Sequence, residues 1–307
     1  MRNESACRPR SSRDRLKRFM LAAALISHTP SVRAEGPVID LHVHLHRDAQ
    51  SLREYRSQNR EASIEVAAFG AMWFGGDRHA LQGDVAATRA ANDSLLDLAR
   101  RDVAMIPIVT VHPYDGDAAL AELDRSAAAG ARGLKIHPHT QRFDAADPRV
   151  LALVRRAGML GLVVIIDNAN ILPGDSEKLF NLALAASDTT FVFAHMGGMH
   201  FRFWNVLKAA RTAEGLVGNN IHFDISAMVT LAADSPIEDE FVWTIRNVGV
   251  ETVLLGSDYP QFSLAQNLDA LERLGLSEAE VTRIRFQNAR DLFARDSITR
   301  SGTTPRR

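Results

Sequence analysis

Two histidines separated by a single residue lie in the first apolar segment of the chain. The segment 38–46 reads VIDLHVHLH, and its aliphatic and β-branched residues without a helical period predict a buried strand. Alternate strand residues face the same side, so we expect His42 and His44 to lie side by side. Two neutral imidazoles supply two of the ligands that a Zn²⁺-type ion requires. A pair of structural core histidines is the alternative, and the adjacent Asp40 favours the metal site.

Polar residues that can bind metals or substrates follow several later apolar segments in the same way. They are His112, Lys135, His137, Asp167, Asn168, His195, Ser257 and Asp258. In a parallel α/β barrel the carboxyl ends of all strands meet at one face, and the active site lies there. The positions of these residues therefore predict one site assembled from several strand ends.

Eight short apolar segments must position these residues, and amphipathic helical patterns alternate with them. We predict strands at 38–45, 65–72, 103–112, 132–137, 161–167, 190–195, 220–226 and 251–257. We predict helices at 85–101, 116–129, 147–160, 175–187, 202–213, 237–248, 263–275 and 278–294. Two helix starts carry a capping box, Ser235 with Glu238 and Ser277 with Glu280.

The strand count and chain length favour an α/β fold of the closed (β/α)₈ TIM-barrel type. Eight strands with intervening helices in about 270 residues match that architecture. An open doubly wound sheet is the alternative. The first strand is followed by histidine-rich sequence rather than by Gly-x-Gly-x-x-Gly, so a dinucleotide-binding sheet is disfavoured.

Residues 1–34 differ in composition from the rest of the chain. Seven basic residues precede the apolar run 19–26, and small residues lead to Ala34. We expect a secretory signal peptide cleaved after Ala34, which leaves a single domain at 35–307 and a periplasmic location. A basic N-terminal extension is the alternative, because the basic region is long for a signal. The apolar run is too short to remain as a membrane anchor.

The charge of the remaining chain restricts its partners. Residues 35–307 contain 28 Lys and Arg against 35 Asp and Glu, a net charge of about −7. This balance argues against nucleic acid or an anionic membrane as the main partner. Cys7, the single cysteine, lies in the expected signal, so the processed chain would have no disulfide. We expect a small-molecule substrate, and the sequence is compatible with a homo-oligomer.

Five motifs in order resemble those of the amidohydrolase superfamily. They are IDLHVH at 39–44, GLKIHP at 133–138, FAHMGG at 193–198, GSDYP at 256–260 and NARDLF at 288–293. The resemblance covers residues 38 to 294 and is closest to the amidohydrolase-related branch that includes aminocarboxymuconate-semialdehyde decarboxylase. It implies a metal-dependent TIM barrel in which His42, His44 and Asp258 hold a divalent ion. It also implies that Asp258 accepts a proton from water and that His195 polarises the substrate or positions the water.

Asp167 departs from the family pattern, which usually has a ligand histidine at the end of the fifth strand. We expect Asp167 to act as a further metal ligand. A carboxylate in place of an imidazole shifts the preference toward harder ions. Zn²⁺ is expected first, with Mn²⁺ and Fe²⁺ as alternatives.

The substrate-binding residues are expected to be Lys135, His137, Arg142 and Arg202. Lys135 is one of only three lysines in residues 35–307. It could pair with Asp167, bind a substrate carboxylate, or be carboxylated to bridge two metals, as in binuclear members of the superfamily. The other three residues would form a cationic pocket rim suited to a carboxylate.

Three functions are open at this point. The leading hypothesis is a metal-dependent hydrolase that cleaves a small amide, lactone or ester. The first alternative is a metal-dependent, non-oxidative decarboxylase of an unsaturated or aromatic acid, with Lys135 or Arg142 holding the substrate carboxylate. The second alternative is a non-catalytic metal- or solute-binding barrel, which the presence of Asp258 and His195 disfavours.

Overall fold

The computed structural model describes residues 36–73, 80–213, 215 and 218–301, without the side chains of 295–301. The expected signal peptide, residues 1–34, lies outside the described residues. Of the helices within the described ranges, none combines the length and hydropathy needed to span a bilayer.

Eight parallel strands form a single sheet in which neighbours in sequence are neighbours in space. They are β1 Val38–His44, β2 Val66–Met72, β3 Met105–Val109, β4 Gly133–Ile136, β5 Val163–Asp167, β6 Phe191–Ala194, β7 Ile221–Asp224 and β8 Val253–Leu254. In β1, Leu41 N donates to Leu255 O at 3.0 Å and His44 N donates to Tyr259 O at 2.8 Å, which joins β1 to the segment after β8. The fold is the predicted (β/α)₈ TIM barrel, and the sequential strand order excludes a doubly wound sheet.

Helices connect the strands on the outside of the barrel. In the described part of the chain they are α1 Asp48–Glu61, α2 Val85–Ala99, α3 Asp117–Ala128, α4 Pro138–Gln141, α5 Pro148–Met159, α6 Asp175–Ala185, α7 Val206–Ala210, α8 Met228–Ala232, α9 Glu238–Val248, α10 Leu264–Arg273, α11 Glu278–Thr282 and α12 Asn288–Ser301. Turns of 3₁₀-helix occupy Pro113–Asp115, His195–Asn205 and Val250–Thr252, and a π-helical turn occupies Arg283–Gln287. Seven of the eight predicted helices are confirmed in position, although the π turn divides the last one; the helix predicted at 202–213 is α-helical only at Val206–Ala210, after the 3₁₀ turns that end at Asn205.

The sequence does not predict α1, which connects β1 to β2. Its buried face carries Ser51, Tyr55 and Asn59 at helical spacing. Only one of these is an aromatic or aliphatic residue, so no apolar stripe marks the helix. The Tyr55 hydroxyl donates to Asp40 Oδ2 at 3.0 Å. A polar contact to β1 therefore helps to hold α1 on the barrel.

Of the two predicted capping boxes, one is confirmed and one is wrong. Ser277 Oγ accepts from Glu280 N at 3.3 Å, and the Glu280 carboxylate accepts from Ser277 N at 2.7 Å. The box predicted at the start of α9 does not form. The Glu238 carboxylate instead accepts from the backbone N–H groups of Asp234 and Gly275, at 2.7 and 3.2 Å. Glu238 thus ties the start of α9 to the turn after α10.

A register irregularity between Asp40 and Val43 changes the facing of side chains in β1. Ile39 and Leu41 pack in the cluster inside the barrel, whereas Val43 packs in the larger cluster between strands and helices. A bulge of this kind re-aims side chains next to an active site. Because of the irregularity, both Leu41 and His42 face the inside of the barrel. Leu41 packs in the apolar cluster there, and His42 lines the cavity.

Candidate active site

A cavity of about 690 Å³ opens at the carboxyl ends of the strands. Its polar lining includes His42, His44, Lys135, His137, Asp167, His195 and Asp258. All seven were predicted from the sequence as site residues, and they come from the ends of β1, β4, β5, β6 and β8. The cavity therefore lies where TIM-barrel active sites lie.

His42, His44 and Asp258 converge on one point of the cavity floor. The two histidine Nε2 atoms are 3.0 Å apart. Asp258 Oδ1 lies 3.3 Å from His44 Nε2 and 3.6 Å from His42 Nε2. Donor atoms bonded at about 2.1 Å to one tetrahedral or octahedral ion stand roughly 2.9–3.6 Å apart. The three atoms therefore have the spacing of ligands to a single divalent ion.

Both histidines of this set are held in the neutral form. Burial, followed by the positive charge of Lys135, lowers the pKa of His42 to about 4. The same two causes hold the pKa of His44 well below its ordinary value. Neutral imidazole is the form that binds a metal.

Asp224, at the end of β7, orients His42 and was not predicted from the sequence. His42 Nδ1 donates to Asp224 Oδ2 at 2.8 Å, and this bond leaves Nε2 to face the cavity. Burial alone would raise the pKa of Asp224, but the adjacent His42 holds it well below its ordinary value. Asp167 was predicted because it stands at the end of an apolar segment. Asp224 stands at the end of the seventh strand and could have been predicted in the same way.

Gly256 leaves the space that the His42–Asp224 pair occupies. A Cβ atom at position 256 would stand 2.7 Å from His42 Cβ and 3.1 Å from Asp224 Oδ1. Any larger residue would therefore displace one of these two side chains. The glycine of the GSDYP motif thus has a steric role in the site.

Both ring nitrogens of His195 have hydrogen-bonding partners. Its Nδ1 donates to the Ser226 carbonyl oxygen at 3.1 Å, and its Nε2 lies 3.2 Å from Asp167 Oδ2. Burial opposes protonation, but the hydrogen bond and charge of Asp167 outweigh it and raise the pKa of His195 to about 9. His195 and Asp167 therefore form a charged pair in the cavity wall.

Asp167 lies between two histidines rather than with the three convergent donor atoms. Its Oδ2 is 3.3 Å from His137 Nε2 as well as 3.2 Å from His195 Nε2. Among the described residues, the sets of donor atoms that lie mutually within 4.8 Å do not include Asp167. Its expected role as a metal ligand therefore has no support from the geometry.

The predicted substrate-binding residues divide into two groups. Lys135 is buried at the cavity floor, with Nζ 3.3 Å from His42 Nε2, and His137 lines the same cavity. The structure does not bring the two arginines there. Arg142 lines a separate groove beside α6, and Arg202 is exposed and pairs with Glu240.

Several backbone positions with positive φ lie around the cavity. Asn170, His195, Ala227 and Asp258 follow the four consecutive strands β5 to β8, and their φ angles are 56°, 61°, 61° and 59°. Left-handed conformations of residues other than glycine cost roughly 1–3 kcal/mol each and cluster at functional sites. The strain therefore coincides with the candidate site.

Comparison with known proteins agrees with the location of the site motifs. A family model described as Amidohydrolase matches residues 39–295. A Staphylococcus aureus protein that has been assigned as an amidohydrolase has 17% identity and a TM-score of 0.67, with 84% of this chain and 100% of that chain covered. A 5-carboxyvanillate decarboxylase from Sphingomonas paucimobilis has 16% identity and a TM-score of 0.64, with coverage of 84% and 98%.

A further solved structure contains a metal. It is a dihydroxybenzoic acid decarboxylase from Polaromonas with bound manganese and the inhibitor 2-nitroresorcinol, at 15% identity and a TM-score of 0.59, with coverage of 84% and 96%. At these identities the likeness shows a shared fold. No curated protein matches the chain.

Proposed function

The chain belongs to the amidohydrolase family, and on that premise we propose that it is a metal-dependent decarboxylase of small aromatic or unsaturated carboxylic acids. The observation that carries the proposal is the buried amine of Lys135 beside the three convergent donor atoms, at the floor of the cavity. The decarboxylases among the similar structures support the same reaction class.

The donor set fits a divalent metal ion. Two imidazole nitrogens and one carboxylate oxygen suit Zn²⁺, Mn²⁺ or Fe²⁺, and the spacing of His42, His44 and Asp258 matches one ion. The manganese of the Polaromonas structure supports Mn²⁺ beside the Zn²⁺ expected from the sequence. When bound, such an ion supplies electrostatic stabilisation to the oxygens of the substrate as charge develops.

Lys135 supplies a cation where the substrate carboxylate would bind. Its side chain is 1% exposed and its Nζ faces His42 Nε2. An ammonium group shielded from water binds a carboxylate more strongly than one at the surface. Lys135 would therefore orient the acid with its carboxylate toward the metal ligands.

His195 and Asp258 are positioned for the proton transfer that completes the reaction. Loss of CO₂ breaks a carbon–carbon bond and leaves the electron pair on the substrate carbon, which must then accept a proton. Nδ1 of His195 bonds Ser226 O, so Nε2, which lies 3.2 Å from Asp167 Oδ2, is the ring atom that would exchange a proton with the cavity. Asp258 presents a carboxylate oxygen to the same cavity. We assign these two residues to proton transfer.

Hydrolysis of an amide, lactone or ester, the leading expectation from the sequence, becomes the second candidate. It is supported by the family description and by Asp258, which could accept a proton from a water molecule. Hydrolysis needs no substrate carboxylate, whereas decarboxylation does. Lys135, which would bind that carboxylate, should therefore be required for decarboxylation but not for hydrolysis.

The test is a substrate screen with manganese-loaded protein. Two acids for which decarboxylases of similar fold are named, 5-carboxyvanillate and 2,6-dihydroxybenzoate, are compared with unsaturated aliphatic acids, lactones and amides. We expect CO₂ release from at least one acid. The rate should fall roughly 100-fold or more in Lys135→Met and stay unchanged in Lys208→Met, which removes an exposed lysine of α7. Cleavage of a lactone or amide without CO₂ release would reject decarboxylation in favour of hydrolysis.

A further inference from the structure

Three large apolar side chains are exposed on one side of the cavity mouth. Ile171, Met199 and Leu231 are 57%, 60% and 55% exposed, and each lines the cavity. They follow β5, β6 and β7, which are adjacent strands. We refer to these three residues as the apolar rim.

The apolar rim faces a polar floor. Charged and imidazole side chains line the cavity below it, and Thr140 and Gln261 are among the residues elsewhere in the lining. Adjoining exposed apolar side chains are unfavourable in water and commonly mark a binding surface. The cavity therefore has two chemically distinct parts, a charged end and an apolar end.

Local packing holds the apolar rim in place. A Cβ at Gly198, whose φ is +54°, would stand 2.4 Å from Ala169 O. The loops after β5 and β6 therefore touch, and this contact fixes the backbone next to Ile171 and Met199. Leu231 belongs to α8 and is fixed by that helix. The rim is thus a preformed part of the cavity, which lowers the cost of binding.

The cavity is larger than a single-ring acid requires. Its volume of about 690 Å³ lies within the range of about 300–1,000 Å³ typical of sites for drug-sized ligands. An acid bound through its carboxylate at Lys135 would leave the upper part of the cavity to another group. The rim makes that upper part apolar.

Building on the proposed function, we propose that the apolar rim selects acids that carry an apolar group at the end opposite the carboxylate, such as an alkyl chain or a second ring. The carboxylate binds at the floor, and the apolar group packs against Ile171, Met199 and Leu231. The rim is then a specificity-determining surface of the site rather than a contact for another protein.

The inference is tested by binding, with benzoate and 4-butylbenzoate as probes. Both acids are titrated calorimetrically into manganese-loaded protein. Each buried methylene strengthens binding by about fourfold, so we expect 4-butylbenzoate to bind at least about tenfold more tightly than benzoate. The triple variant Ile171→Ser, Met199→Ser, Leu231→Ser should reduce this preference to about twofold or less, chiefly by weakening the binding of 4-butylbenzoate. Far-UV circular dichroism checks that the variant is folded.

Met159→Ser is the matched control. Met159 is 77% exposed at the end of α5, before β5 begins, and so lies at the opposite end of the barrel from the cavity. This variant should keep the preference for 4-butylbenzoate. Equal affinities in the wild type, no binding of either acid, or an unchanged preference in the triple variant would overturn the inference. A retained preference without CO₂ release from any acid would instead contradict the proposed reaction alone.

Discussion

His42 uses both of its ring nitrogens, and each has a different task. Nδ1 donates to Asp224, and Nε2 faces His44 and Asp258. A carboxylate behind a ligating histidine fixes the tautomer and increases the basicity of the ligand nitrogen. Removing the carboxylate should therefore weaken metal binding, although Asp224 is not one of the three convergent donor residues His42, His44 and Asp258.

Asp224→Asn tests this role. We expect Mn²⁺ affinity to fall about 10- to 100-fold, measured by calorimetric titration. Asp239→Asn removes an exposed carboxylate of α9 and should leave affinity unchanged. If Asp224→Asn binds Mn²⁺ as tightly as the wild type, Asp224 does not orient the ligand.

In contrast to Asp224, Asp167 is expected to contribute little to metal affinity. Its carboxylate contacts His137 and His195 rather than the convergent donor atoms. We expect Asp167→Ala to keep Mn²⁺ affinity within about tenfold of the wild type and to lose roughly 1–3 kcal/mol of stability through the broken buried hydrogen bonds. Metal titration and urea unfolding of the same protein measure both quantities. A loss of metal binding with unchanged stability would restore Asp167 as a ligand.

Residue types and strand-end positions predict much of the candidate site but not its limits. His42, His44 and Asp258 could be predicted because a strand end fixes where a side chain points. Arg142 and Arg202 were expected at the site and lie elsewhere, because the path of a loop after its first few residues is not encoded in a short pattern. The partners of Asp167, His137 and His195, were also unpredictable, since they come from two other connections.

Among the elements, α2, α3 and the end of β3 are joined by one buried carboxylate. Glu122 of α3 accepts from Asn92 Nδ2 at 2.9 Å and from Arg125 at 2.7 Å. Asn92 also bonds the backbone of Thr110, which follows β3. Burial alone would raise the pKa of Glu122, but these hydrogen bonds, chiefly from Arg125, lower it.

Glu122→Gln should destabilise the fold in a pH-dependent way. We expect a loss of roughly 1–3 kcal/mol at pH 7. A carboxylate with a lowered pKa contributes stability above its unfolded-state pKa and loses that contribution as the pH falls. The difference from wild type should therefore be constant near pH 7 and shrink as the pH falls below about 4.5, the ordinary pKa of a glutamate, as measured by urea unfolding. Glu240→Gln, which removes an exposed partner of Arg202, should change stability little. A difference that does not depend on pH would contradict this explanation.

Long elements with an apolar face could be predicted, whereas α1, which has no such face, and the short helices α4 and α8 could not. The strands are continuous apolar runs because parallel strands are buried on both faces. Helix α1 buries only one aromatic residue, Tyr55, among polar residues, so its sequence shows no apolar stripe. The hydrogen-bond partner of Tyr55, Asp40, lies outside the helix, in β1. The failed capping box at α9 has a similar cause, since the partners of Glu238 include Gly275. Contacts between sequence-distant polar groups leave no local pattern.

At the scale of the whole molecule, eight repeats of strand and helix were sufficient to predict the barrel. Closure of the sheet then places every strand end at one face, so fold and site location follow from the same pattern. The volume of the cavity and the apolar rim depend on loop packing, such as the contact of Gly198 with Ala169. They could not be predicted from periodicity.

The N-terminal segment carries a separate prediction about the whole chain. We propose that export removes residues 1–34, because a basic region, a short apolar run and small residues before Glu35 occur in the order of a signal peptide. Intact-mass measurement of protein from a native host should show a chain that begins at Glu35. An unprocessed chain would reject the proposal of a signal peptide and favour a basic extension.

The central claim is that His42, His44 and Asp258 hold one divalent ion at the carboxyl ends of the strands. Its most direct test is the manganese content of wild type, His44→Ala and the exposed control His200→Ala after loading and gel filtration. We expect about one ion per chain in the wild type and control, and nearly none in His44→Ala, with unchanged far-UV circular dichroism because the ligands are not part of the apolar core. Wild-type manganese content in His44→Ala, or none in the wild type, would contradict the claim.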